Sequence, residues 1–394
     1  MERNFKNLLL AQSTANIADV FFRVSVISNI FMLTKSVMVT SMIPVIIGIS
    51  SFISSFFLPV ITRNNPLNEI LFFTQFVKTI NIVSLLAIVF FLGKAPVWVI
   101  YILVCIISFM DGFAGPVSSA IIPKYSDNLT RANSLLSTSN EVTQVVGWAL
   151  GGVLLTIIGF YKILIITIIL FILATIMFFR LPAVIKEVME NETTKESMIK
   201  GWKLIYKIPK LKIIMLVNLF EILANSIWVS SIILVFVNSI LHKSDEYWGY
   251  VNTVYSIGII VSGLFIAKYT SIFDRKKSLW IISSLLVSAI FIFLGVSFIN
   301  PICFLLISFI IGISSQLKEI PETIIIQESV NEDELVNIYA VLEVVSTISF
   351  SFFIFIMSLF TDAFGVVTTF KLAACCLIVE GVIIYINRKT LDKS

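Results

Sequence analysis

Apolar runs of about twenty residues recur from one end of this chain to the other. A helix needs roughly 20 residues to cross the ~30 Å hydrocarbon core of a bilayer, so each run is long enough to span one. In lipid, only helices and closed barrels satisfy their own backbone. A barrel strand alternates polar and apolar residues, whereas these runs are continuous, so they read as helices. Composition agrees. Of the 394 residues, 58% are hydrophobic and 13% charged, about half of the roughly 25% charge of soluble proteins. A soluble fold has to keep its surface wetted and could not hide this much apolar area. The expected fold class is an all-α polytopic membrane protein with twelve transmembrane helices. Spans are predicted at 8–33, 39–62, 70–92, 96–118, 131–158, 161–180, 211–240, 247–270, 277–298, 301–318, 334–360 and 365–387. The first run carries Asp19 and Arg23 and continues past Met32. A signal peptide's apolar region is shorter and uncharged, so this run is expected to be retained as a span.

The net charge of +4 is explained by where the cations lie. With both termini on the cytoplasmic side, twenty of the 28 Lys and Arg fall in inner segments, and five fall in outer loops. This is the positive-inside bias of a membrane protein, and it calls for no nucleic-acid partner. The expected location is the cell membrane, multi-pass, with the lipid bilayer as partner and the chain as a monomer. Cys105, Cys303, Cys375 and Cys376 lie in apolar runs without metal-ligand spacing, and the one histidine, His242, falls in a loop. Neither a disulfide framework nor a His-based metal site is expected.

The organisation predicted is an N-terminal six-helix half over 1–182, a cytoplasmic linker over 183–210 and a C-terminal six-helix half over 211–394. Within the linker, Trp202, Leu204, Ile205, Tyr206 and Ile208 interleave with lysines. That mixture suits either a helix on the inner membrane surface or a solvated tether. The halves read as repeats. Asn16, Asp19 and Arg23 share the spacing of Asn218, Glu221 and Asn225, which lie 202 positions later. Pro116 likewise matches Pro321. Parallel repetition of two six-helix halves is a transporter plan, with the site between the halves near the midplane.

Intramembrane charges carry the chemistry. Gln12, Asn16, Asp19 and Arg23 form a polar stripe on span one, because residues three, four and seven apart share a helix face. A mid-span charge costs at least ~2.5–3.5 kcal/mol on insertion scales, so the stripe should face the protein interior. Asp19 reads as a protonatable carboxylate or as half of a fixed ion pair with Arg23, and for Arg23 the partner role is favoured. Glu221 has no cation on its own helix; it reads as a proton carrier, a partner for a cationic substrate or a neutral hydrogen-bonded acid. Span five carries Glu141, Gln144 and Trp148 on one face, and Glu343 lies on span eleven. Asp111 and Glu380 are read as leaning toward cytoplasmic helix ends, and the mid-span bases are Arg23 and Lys78. Asn16, Gln144, Asn218, Asn225 and Glu343 are the substrate-cavity candidates. Gly147 and Gly151 make a GxxxG step with Gly152 beside it, which allows close helix approach. No Gly-rich phosphate loop or nucleophile elbow is present. An enzyme is therefore not expected, and ion gradients are the economical energy source.

Taken together these residues resemble the major facilitator superfamily, in its macrolide-efflux-like drug-exporter branch. Asn16-Ile17-Ala18-Asp19 with Arg23 is similar to the branch's Asn-x-Gly-Asp-x-x-x-Arg pattern. Pro123 and Arg131-Ala132-Asn133 resemble its span four-to-five connection. Gly147-Trp148-Ala149-Leu150-Gly151-Gly152 resembles the antiporter motif, with Trp148 in place of Pro. The cytoplasmic signature between spans two and three is degraded here to Leu58 through Pro66, while its counterpart keeps Asp274 and Arg275. The resemblance implies the major facilitator fold, with two halves related by a pseudo-two-fold axis and a central cavity that takes a small molecule. It also implies gating by Asp274 and Arg275, and proton-coupled efflux of small amphipathic compounds with no cofactor beyond the proton gradient. Asp19, Glu141 and Glu221 are the proton-coupling candidates. A proton-linked metabolite importer and a membrane interaction protein that has lost transport remain as alternatives.

Overall fold

The computed structural model describes residues 3–93, 95–184, 194–274 and 276–392, and these contain helices and loops but no strand. In order, the main helices are α1 (Arg3–Thr34), α2 (Val37–Asn64), α3 (Leu67–Leu92), α4 (Val97–Ala120) and α5 (Leu129–Phe179). They are followed by α6 (Thr194–Lys207), α7 (Pro209–Asn225), α8 (Ser230–Ser239), α9 (Glu246–Lys268) and α10 (Lys277–Ser297). The last three are α11 (Pro301–Ser329), α12 (Leu335–Phe364) and α13 (Val366–Leu391). Eleven helical segments of the described residues are long and apolar enough to cross a membrane. One of them, α5, is 51 residues long and bends at Gly159, whose φ is 80°. At 1.5 Å per residue its length is more than twice the ~30 Å core. Its two arms, 129–158 and 160–179, therefore count as two spans, which brings the total to the twelve expected.

Local chemistry sets the boundaries. Asn300 caps the backbone N–H groups of Ile302 and Cys303, and Pro301 occupies the first turn of α11; a proline is tolerated there because that N–H has no helical partner. Gly365, with φ 84°, precedes α13 as Gly159 precedes the second arm of α5. A left-handed backbone at both places is readily supplied by glycine.

Two helices depart from the sequence reading. α11 continues to Ser329 rather than stopping at 318, so Lys318, Glu319 and Glu322 all lie inside it. Charge there resembles the end of a span; in the fold, Lys318 and Glu322 face inward and pair. Span seven is not continuous. α7 ends at Asn225, a 3-10 turn covers Ser226–Trp228, and α8 follows. The Ser226 hydroxyl donates to the Leu223 carbonyl at 2.6 Å, satisfying one of the acceptors that the break releases. Trp228 anchors the turn by packing against the rings of Phe304 and Phe370.

The chain forms two compact units. The first comprises 1–127, 142–201 and 332–344; the second comprises 128–141, 202–331 and 345–394. In the first, a core of Phe22, Ile30, Ile82, Leu85, Val104 and Phe171 joins α1, α3, α4 and the second arm of α5. The linker helix α6 belongs to it as far as Gly201, where an added Cβ would stand 2.3 Å from the Asn337 carbonyl. That end of the helix is therefore docked on protein and does not simply lie on a membrane surface. The expected linker residues 185–193 fall outside the described residues. In the second unit α9 packs on α11, and α10 packs on α11 and α13. The closest approach is at Gly312, where a Cβ would lie 2.1 Å from the Tyr255 carbonyl. Gly112 plays the same part in the first unit, against Ser51 and Ser54 of α2.

Candidate functional sites: two buried ion clusters

The first cluster grows from the polar stripe of α1. Asp19 is 7% exposed. Its ion partner is Lys78 of α3, whose Nζ donates to Oδ2 at 2.6 Å. Lys78 also pairs with Asp111 of α4, and Arg23 reaches Asp111 at 3.2 Å. Arg23 thus acts as a charge partner across helices rather than to Asp19 one turn away, which corrects the intrahelical pairing. Side chains four apart on a helix meet only when both lean the same way, and here each finds a better partner on a neighbouring helix. Asp111 is no helix-end residue; it bridges two cations. Two carboxylates and two cations balance, and the Phe171 ring sits 5.1 Å from the Lys78 ammonium. Further along the stripe, Gln12 donates to Asn16 at 3.2 Å and accepts from Ser118 at 2.9 Å. Gly147 and Gly151 abut Val20, Phe21 and Val24 of α1. The antiporter-like motif thus packs on the helix that holds Asp19, while Gly152 faces open space. Trp148 is exposed and donates to Gln144.

The second cluster lies in the other unit. Glu221 of α7 is not without a cation, as its own helix suggested: Lys318 of α11 donates to it. Lys318 also pairs with Glu322 one turn on, and lies 3.7 Å from Glu380 of α13. Asn218 accepts from the same ammonium at 3.5 Å. Glu380, read from sequence as a helix-end residue, is fully enclosed at 0% exposure, and neither of its carboxylate oxygens has a hydrogen-bond partner. One ammonium faces three carboxylates, so full ionisation would leave two negative charges in excess. The mid-span bases legible in the sequence were Arg23 and Lys78; Lys318 escaped because the apolar run appeared to end at it.

A small cavity opens beside this cluster, lined by Glu221, Asn225, Trp228, Tyr255, Ser288 and Lys318 among others. Glu141 accepts a hydrogen bond from Ser256 of α9, and Gln316 donates to Ser137 at 2.8 Å and Glu319 at 3.3 Å. Glu343 is exposed on α12. In the first unit a cavity of about 790 Å³ is lined by phenylalanines including Phe72, Phe109, Phe113 and Phe178, with Glu69 at its edge.

Polar pairs also join pieces of the two sequence halves within each unit. Lys124 pairs with Asp333 at 2.6 Å and Glu332 at 3.7 Å, and Lys200 lies 3.9 Å from Glu334. In the second unit Thr130 donates to Asp274, and the amides of Asn133 and Gln327 exchange hydrogen bonds at 2.7 and 3.2 Å. Arg275, the other expected gating residue, lies outside the described residues.

The membrane-spanning helices, the broken helix and the buried ion clusters of the described residues make up a polytopic helical membrane protein. The Major Facilitator Superfamily model matches residues 76–227 and 214–393, and the chain belongs to that family. It is 28% identical over 395 residues to the uncharacterized MFS-type transporter YfmI of Bacillus subtilis (strain 168), covering 97% of this chain and 96% of that one. A second relative in the same organism, the uncharacterized MFS-type transporter YjbB, is 28% identical over 390 residues, covering 97% and 94%. Among solved structures, a bacterial homologue of the iron transporter ferroportin in its outward-facing state superimposes with a TM-score of 0.77 at 13% identity, over 97% of this chain and 98% of that one. The Escherichia coli fucose:proton symporter FucP gives 0.77 at 9% identity, over 99% and 98%. These likenesses show the fold alone.

Proposed function

We propose that this transporter is a proton-coupled exporter of small amphipathic compounds, as the macrolide-efflux-like sequence pattern implies. The observation that carries the coupling is the second cluster, where one ammonium is shared among more carboxylates than it can neutralise. A low-dielectric interior does not tolerate unpaired charge, so an acid excess of this kind favours proton uptake and release as a working cycle. In the same reading Glu221 and Glu141 respond to protons, while Asp19, tied to Lys78, positions α1 against α3. Asn16, Gln144 and Glu343 are the remaining substrate-contact residues in this reading, while Asn218 and Asn225 border the ion cluster and its small cavity. Alternating access is then a rocking of two six-helix halves. Asp274, held by Thr130, and Lys124, held by Asp333, serve as cytoplasmic latches, the second standing in for the degraded signature between α2 and α3. The Lys and Arg bias supports an orientation with both termini cytoplasmic; in the same reading the protein works as a monomer in the cell membrane.

The test is uptake of a panel of cationic, neutral and macrolide-like compounds into inverted vesicles under an imposed pH gradient. Gradient-driven accumulation that collapses in Glu221→Gln is the expected result. Wild-type vesicles that accumulate none of the panel, or that accumulate compounds equally well without a gradient, would sink the reading.

A further inference from the structure

We propose that Glu380 carries the coupling proton, and that Lys318 is a tethered counter-ion that relays the charge of Glu380 to Glu221. The proposal rests on the proton-coupled reading above and adds the residue and the switch.

Glu380 is the most anomalous polar side chain in the described protein. It sits at 0% exposure on a helix read as membrane-spanning, with both oxygens lacking a hydrogen bond. An ionised carboxylate so placed would bear the desolvation penalty with only one distant cation to offset it. A carboxylic acid bears much less of it, the cost of an unbonded polar group rather than of an unpaired charge. The cation, Lys318, stands 3.7 Å away and is in tighter contact with Glu221 and Glu322. This is the arrangement expected while Glu380 holds its proton. When the O–H bond of Glu380 breaks and the proton leaves, the new carboxylate attracts the Lys318 ammonium. A small swing of a flexible four-carbon stem is enough, because the gap to close is about one ångström beyond an ordinary ion pair. Glu221 then loses its counter-ion and is free to take a proton. Charge balances at each stage: one proton leaves Glu380, and one positive charge is drawn to Glu221.

Every element packed against Glu380 fits this role. α7 contributes Glu221, and α11 contributes Lys318 and Glu322, with the exposed Glu319 beside them. α10 offers Ser284 and Ser288, with Leu285 and Ile292, toward the cavity and no charged group among them. α8 and the 3-10 turn meet α13 through Phe236 and Trp228 against Phe370, about 15 Å along the helix from Glu380. On its own helix the neighbouring titratable group is Cys376. No group of acidic, cysteine or histidine side chains suited to a metal occurs among the described residues. Size separates proton from substrate. The cavity beside Glu221 and Lys318 has about 30 Å³ of free space, room for two or three waters at roughly 10–15 Å³ each, but not for an organic compound. Water can deliver protons there, and the substrate binds elsewhere. The signal has a mechanical outlet as well, since α7 breaks at Asn225, one turn after Glu221. A broken helix has two arms able to reorient when one gains or loses an ion pair.

The test needs no substrate. Wild-type protein and the variants Glu380→Gln, Glu380→Asp, Glu221→Gln and Lys318→Gln are reconstituted in lipid vesicles, titrated from acid to alkaline pH and followed by the infrared carboxyl C=O stretch. The wild type should show a buried protonated-carboxyl band that titrates. In Glu380→Gln that band should be lost, and in Glu380→Asp it should be shifted in frequency. In Glu221→Gln it should remain but titrate at a more acid midpoint, because Lys318 then has one competitor fewer. Combining Glu221→Gln with Lys318→Gln should abolish that displacement. A full band in Glu380→Gln overturns the proposal. If that variant does not fold, an unshifted band in Glu380→Asp overturns it instead. A midpoint indifferent to Glu221→Gln removes the switch. Failure of gradient-driven efflux in the wild type, with the titrating Glu380 band intact, would instead overturn the transport reading and leave the site standing.

Discussion

Asp19 and Glu221 stand at matched positions of the two sequence repeats, yet they sit in opposite electrostatic situations. Around Asp19, cations come from α1 and α3 and the second acid from α4, and the charges cancel. Around Glu221 the only cation among the described residues is on α11, and the extra acids come from that same helix and from α13. A balanced buried network holds helices in register and has no reason to exchange anything with solvent. An unbalanced one is incomplete until something positive binds. The repeat has kept the first carboxylate and the close helix contacts at Gly112 and Gly312, and has changed everything that sets the charge.

The largest test of this contrast removes the central cations. Lys78→Met should destabilise the detergent-purified protein by about 3–5 kcal/mol, because it strands two carboxylates beside one arginine. Lys318→Met should lower the melting temperature less at acid pH, where its carboxylates can hold protons, with the deficit widening as pH rises. Equal, pH-independent losses would erase the distinction. Next, Gly112→Ala and Gly312→Ala should each cost about 1–3 kcal/mol by overpacking, since the new methyl meets backbone in both cases. Gly152→Ala, which meets nothing within 4 Å, should leave the melting temperature unchanged or slightly raised. Glu221→Gln should lower gradient-driven efflux about tenfold, equivalent to ~1.4 kcal/mol, whereas Asp19→Asn should act mainly on thermal stability. The smallest effect is at the latch. Lys124→Glu and Asp333→Lys should each weaken the first unit, and together restore it, with a coupling near ~0.5–1 kcal/mol in a double-mutant melting cycle.

Most of the fold was legible because lipid enforces a simple code of length and continuous apolarity, and because Gly159 and Gly365 punctuate it where left-handed backbone is needed. The acids Asp19 and Glu221 were legible too, since a charge inside an apolar run stands out. Their partners were not. Lys78 was visible as a mid-span base, but nothing in a linear sequence said that it would reach Asp19 before Arg23 did. Lys318 and Glu322 were hidden by their own pairing: charges that neutralise each other in space look, in sequence, like the polar end of a helix. The break after Asn225 was masked for another reason: its serines are small and uncharged, and Ile227, Trp228 and Val229 between them read as ordinary span.

Neither compact unit is made from one uninterrupted stretch of chain. Residues 128–141, from the first sequence half, complete the second unit, and residues 332–344, from the second half, complete the first. A ribosome therefore cannot hand the membrane a finished first unit and then begin the next. The Lys124 side chain has to wait for Asp333, made some two hundred residues later, and Gly201 waits for Asn337. Assembly of this transporter is consequently a late event in its synthesis, and fragments cut at the linker should be inserted but incomplete until both are present in one membrane.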